Sequence, residues 1–131
     1  MSKTTAGGFR FNDDDWPILR VIAPAQQSDD DFSAYLKQLA TYRRRNEPYA
    51  IIYDIRPGRG LSAKQRRMQS DYIKESISLR ITLKAFAAIT RSGVQRGALT
   101  AIFWLSGSPW PRKVFTSESE AEQWVKSFFP N

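Results

Sequence analysis

The chain has 131 residues, of which 41% are hydrophobic and 25% charged, a net charge of +7, and neither cysteine nor histidine. Its length suits one domain with a real core, and the missing residue types exclude disulfides, thiol nucleophiles, Cys/His zinc sites, Ser-His-Asp triads and imidazole acid–base chemistry. No apolar run approaches the roughly 18 residues of a transmembrane helix, and the opening MSKTTAGGFRF lacks a signal-peptide core, so a cytoplasmic protein without membrane insertion is expected.

Residues 1–8 are expected to be a disordered tail, and residues 9–131 a single domain. FRF at 9–11 alternates, NDDD at 12–15 reads as a turn and WPILRVIA at 16–23 as a strand, which together predict an opening hairpin. Ser28 is a good N-cap, and Asp29, Asp30 and Asp31 place negative charge at the positive end of a helix. Phe32, Tyr35, Leu36, Leu39 and Tyr42 share one helical face, and Arg43, Arg44 and Arg45 close the helix where cations suit its carbonyl end. The acid and arginine runs thus need no ligand to explain them.

YAIIYDI at 49–55 is a short apolar run of the kind that forms a strand covered on both faces. Ser62 and Gln65 have capping-box spacing, so a second helix is predicted from about 62 to 79. Its buried face is ambiguous: Met68, Tyr72 and Leu79 form one stripe, Ile73 and Ile77 nearly the opposite one. KAFAAIT at 84–90 is the next buried strand. SGVQRGALTAIFWLSG at 92–107 reads as a third helix, capped by Ser92 and ended by Gly107. RKVFT at 112–116 is a short strand, and Ser117 with Glu120 opens a last helix carrying Ala121, Trp124, Val125 and Phe128 on its apolar face.

The order is ββαβαβαβα, an α/β fold. Helices between successive strands argue for a mixed, mainly parallel sheet of about five strands, with the N-terminal β-hairpin adding an antiparallel edge and four helices in all. This order, with AIIYDIR at 50–56 and FTSESEAEQWV at 115–125, resembles the STAS fold of sulfate transporters and anti-sigma-factor antagonists. It is similar in particular to the single-domain bacterial branch related to the sporulation anti-sigma-factor antagonist. The resemblance implies a non-catalytic regulatory domain that binds a regulatory protein or a small ligand without a cofactor. It also implies a phosphoacceptor serine where the helix after the central strand begins, which here is Ser62. The family's switch reads Asp-Ser-Ser-Gly, whereas this chain reads GLSA at 60–63, so a capping role is the plainer reading of Ser62.

Charge is concentrated in the middle of the chain. Residues 43–113 hold fifteen Lys/Arg against four Asp/Glu, while residues 1–42 hold four against six. Such a segment favours an anionic partner, although scattered, solvated arginines would serve solubility alone. In a parallel sheet, ligands gather outside the carboxyl ends of the strands. Arg56, Arg59 and Ser62 follow one central strand, and Arg91 and Arg96 the next. If those strands are neighbours, these five residues form an anion- or partner-binding rim, with Gly58, Gly60 and Gly93 allowing close approach. The competing reading pairs Arg56 with Asp54 or with a carboxylate on a helix.

Two other classes of function compete with this rim. Leu99 and Phe103, opposite the predicted core face of the third helix, could join Trp110 in a protein-interaction or homodimer patch. Unspecific nucleic-acid binding would use the same cations, but the chain shows neither a known nucleic-acid motif nor aromatics interleaved with the basic residues. Asp54 is the one carboxylate well placed for chemistry, and alone it falls short of a catalytic or metal-binding constellation. A non-enzyme is expected.

Overall fold

A computed structural model describes residues 3–79, 81–91 and 109–130. Its strands are β1 (Lys3–Ala6), β2 (Phe9–Asn12), β3 (Ile18–Ile22), β4 (Tyr49–Asp54), β5 (Leu83–Ile89) and β6 (Arg112–Phe115), and its described helices are α1 (Asp29–Arg43), α2 (Ala63–Ser78) and α3 (Glu118–Lys126). The sheet has six strands in the order β1-β2-β3-β4-β5-β6. Pairing is antiparallel from β1 to β3 and parallel from β3 to β6.

Two expectations need correction. The sheet has six strands rather than about five, because residues 3–6 of the expected tail pair with β2 in the register Lys3↔Asn12 to Ala6↔Phe9. The Gly7–Gly8 turn makes this possible, since both residues have positive φ (57° and 82°), which glycine adopts without the penalty of a side chain. Three helices lie among the described residues. The predicted helix at 92–107 falls outside them.

The strand order explains the layers. Strands β4 and β5 are each added on the same side of the last, so right-handed crossovers place α1 and α2 on one face. There Phe32, Tyr35, Leu39 and Tyr42 of α1 and Ile73 of α2 bury against Phe9, Phe11, Leu19, Val21, Ile51 and Tyr53. Helix α3 follows the final strand and covers the other face, packing Ala121 and Val125 on Ile18, Ala50, Ile52, Ala85, Ala87 and Ile89. The alternation along β4 therefore splits one apolar run between two cores.

Local signals behave as predicted. Ser28 and Ser62 each complete a reciprocal capping box, and Ser117 accepts a bond from the Glu120 N–H. Helix α1 is held by ring stacking, with Phe9 and Tyr35 centroids 4.1 Å apart and Phe11 and Tyr42 5.7 Å apart, each such pair contributing about 0.5–1.5 kcal/mol beyond area burial. Arg45 covers the Trp16 ring at 4.2 Å and bonds Asp13 at 2.6 Å, closing this row.

Helix α2 differs. Of the two predicted stripes, the one through Ile73 and Ile77 lies on the buried face, where Gln65, Gln69 and Ser76 join Ile73, while Leu79 of the other stripe is exposed. Three of these four side chains are polar, and Gln65 and Ser76 add hydrogen bonds near its two ends to the packing of Ile73, Met68, Tyr72 and Ile77 on the core.

Candidate functional site

Strand β4 ends at Asp54, and the chain turns so that Arg56 folds back on it. The Arg56 side chain donates from Nε to Oδ1 at 2.9 Å and from Nη2 to Oδ2 at 2.8 Å, and its backbone N–H donates to Oδ1 at 3.0 Å. Glu118 of α3 lies 3.6 Å from the same guanidinium. Burial alone would push the Asp54 carboxyl up. The side-chain and backbone hydrogen bonds from Arg56 and the charges of Arg56 and Arg10 outweigh it, so the group titrates below the ordinary range. This bidentate geometry is the strong form of the ion pair. Arg56 is thus paired within the chain, as the competing sequence reading has it, with its side chain still 38% exposed.

The rest of the turn is braced as well. Gly58 N–H bonds to Ile55 O at 2.9 Å, and Arg91 Nη2 donates to Gly58 O at 3.2 Å. Gln27 Nε2 reaches Gly60 O (3.1 Å) and Gln65 Oε1 (2.8 Å). The buried Gln65 returns bonds to Gln27 O and to Asp29 Oδ1 at 3.0 Å, tying α2 to the start of α1. The close approach expected at Gly58 is to the protein's own backbone: a Cβ there would meet Ile55 O at 3.3 Å and Pro24 O at 3.6 Å. Gly60 is needed for its φ of +101°.

The convergence of strand ends is real, since Arg91 reaches the turn that carries Arg56 and Arg59. Arg59 is exposed. The Ser62 hydroxyl accepts from Gln65 N–H at 3.1 Å and caps α2. Arg96, Leu99 and Phe103 lie outside the described residues. Trp110, expected in an interaction patch, is 8% exposed and belongs to the core under α1 and α2.

A second feature occupies the opposite end of the strands. A cavity of about 50 Å³ lies between α1, α2 and the starts of β4 and β5, several times the space one water needs by the same measure. Its walls include Leu36, Leu39, Ile51, Ile73, Phe86 and Trp110, and Ile81 stands half-exposed beside it. Gln69 and Thr82, each 6% exposed, also border it. Gln69 Oε1 and Thr82 Oγ1 have no hydrogen-bond partner among the described residues. Burial pushes the Tyr49 and Tyr72 phenols up on the same wall. Arg43 is spent on the wall itself, donating to Ser76 Oγ at 2.8 Å and Glu75 Oε1 at 3.3 Å and lying 5.0 Å over the Tyr72 ring. Sequence reading missed this site because its only signal was two ordinary polar residues.

No protein-family model matches the chain, and no curated protein matches it. It is similar to the crystal structure of an uncharacterised DUF3478-family protein from Shewanella loihica PV-4, described as having a SpoIIAA-like fold. The TM-score is 0.61 at 21% identity, over 82% of this chain and 83% of that one. The topology and this likeness agree: the chain has a SpoIIAA-like α/β fold.

Proposed function

We propose that the chain is a non-catalytic regulatory module that recognises an acidic protein surface, or a small anionic ligand, at the carboxyl edge of its sheet. The observation that carries this reading is Arg59, exposed on a turn whose backbone is held by Gln27 and Arg91. Lys64, Arg66 and Arg67 stand exposed on the helix that follows, and its first turn holds no acidic residue. A turn fixed before binding loses little freedom when a partner arrives, and guanidinium groups match carboxylates and phosphates in a planar, two-point fashion. Arg56 serves here as a brace, and the carboxylate best placed for chemistry, Asp54, is consumed by it.

Titration with a fluorescent polyglutamate peptide at low salt tests the rim. The Arg59→Glu/Arg67→Glu variant is expected to bind at least tenfold more weakly than wild type, with Lys84→Glu unchanged. Equal affinity in the rim variant overturns the reading. A duplex DNA of similar charge, bound as tightly as the peptide, would reduce the rim to unspecific attraction.

A further inference from the structure

Three connections meet at the carboxyl edge of the parallel strands. A Cβ on Gly8, in the β1–β2 turn, would meet Pro24 Cβ at 3.3 Å, and one on Gly58 would meet Pro24 O at 3.6 Å. Pro24, just past β3, therefore sits between the first turn and the one after β4. Arg10 stands two residues beyond Gly8 and Arg59 one beyond Gly58, both exposed, so the two flank this shared floor. The strand order brings Arg10 here because β2 is antiparallel and starts where β3 ends, in the register Arg10↔Ile22↔Asp54. Phe9, Phe11 and Tyr53 enter the core under α1, so Arg10 and Asp54 project from the opposite face, near enough for the Arg10 charge to act on the Asp54 carboxyl. Arg56 already occupies both oxygens of that carboxyl. The neighbouring arginines are neutralised within the chain, Arg20 by Asp15 and Glu122, Arg56 by Asp54 and Glu118. Among the described residues, neither Arg10 nor Arg59 has a carboxylate at ion-pair distance.

We infer that the partner of this edge is an extended acidic stretch of polypeptide, lying over Pro24 with one carboxylate on Arg59 and another on Arg10. This rests on the reading of the edge as an anion-recognising rim, and adds to it a second anchor and the form of the partner. A lone carboxylate gains from one anchor. In a chain of carboxylates the second contact is intramolecular, so affinity rises well beyond that of either contact alone. The floor offers backbone and Pro24, while the rings beneath it, Phe9, Phe11 and Phe32, are buried, so nucleic-acid bases have nothing here to stack on. The exposed large apolar residues among those described, Leu79 and Ile81, lie at the other end of the strands, beside the start of β5. A lipid surface would therefore meet charge at this edge without an apolar anchor.

The test titrates fluorescein-labelled triglutamate and decaglutamate into the full chain at low salt. Decaglutamate is expected to bind wild type about tenfold tighter than triglutamate, or better. Arg10→Gln and Arg59→Gln should each cut that ratio to about threefold or less. Lys84→Gln makes the same change in net charge at the other end of the strands and should leave the ratio as it is; an equal fall there overturns the inference. Arg10 is exposed and unpaired, so its variant should unfold at the wild-type midpoint, which separates loss of contact from loss of fold. A fall confined to one of the two arginine variants overturns the second anchor, and if that variant is Arg59→Gln the rim reading still stands. No fall in either variant overturns both. A ten-residue oligothymidylate bound as tightly as decaglutamate, with the same loss in Arg10→Gln, overturns the choice of polypeptide.

Discussion

At the carboxyl edge of the parallel strands, Asp54 meets Arg56 three times, Gln65 meets Gln27 and Asp29, and Arg91 meets Gly58. At the amino edge, beside a cavity of about 50 Å³, Gln69 and Thr82 each bury a polar atom without a partner among the described residues. One edge is closed by its own hydrogen bonds and presents cations outwards. The other is under-satisfied within and largely apolar. The comparison shows that a general preference for ligands at strand carboxyl ends locates exposed charge here, while the unmet chemistry lies elsewhere.

Mutations can break or sharpen that contrast. The largest effect is expected from Gly7→Ala, near the start of α1. There φ is +57° and a Cβ would fall 2.0 Å from Asp31 O, a backbone atom with little room to yield. A loss of about 3 kcal/mol is expected in urea unfolding. Asp54→Ala comes next, at about 2 kcal/mol, because it strips charge-assisted bonds from the Arg56 side chain and leaves its N–H without that acceptor. If Asp54→Ala were neutral, the closed character of this edge would be wrong.

The sign should reverse at the amino edge. Gln69→Leu is expected to raise stability by about 1 kcal/mol, since it removes an orphaned acceptor without opening a void. Ser62→Ala is expected to cost about 1 kcal/mol through loss of the α2 cap. Arg59→Ala should change stability by less than about 0.5 kcal/mol, as an exposed side chain away from any such feature does. It should act only on binding.

Acid gives a further check on the same contrast. The Asp54 carboxyl is depressed in the folded protein, so its contribution is fully present above the ordinary aspartate range and is lost as pH falls through the folded value. Asp54→Asn should therefore lose stability at neutral pH and lie closer to wild type in strong acid. A constant gap across that range would show that the ion pair contributes nothing.

Much of the architecture was legible in the sequence because its signals are local. Ser28, Ser62 and Ser117 announce helix starts by cap chemistry, and the apolar run at 49–55 can only be a covered strand. Strand β1 was not legible: Lys3, Thr4 and Thr5 carry no apolar pattern, and they become a strand only because two glycines fold them onto β2. The docking face of α2 was only half legible, for the opposite reason: Ile73 and Ile77 marked it, but Met68 and Tyr72 offered a rival stripe. Periodicity searches follow apolar residues, and this helix buries Gln65, Gln69 and Ser76. Of the candidate rim, the convergence of Arg56, Arg59 and Arg91 could be read from the strand order, and the Asp54–Arg56 pair stood as its rival. Only the structure could decide between them, since both use Arg56.

The outermost strands are each four residues long and carry cations, Lys3 on β1 and Arg112 and Lys113 on β6. A bare strand border is a template onto which another chain can add. Here two copies brought border to border would meet little length and like charge, so the sheet is protected against growing into larger assemblies by the residues that bound it.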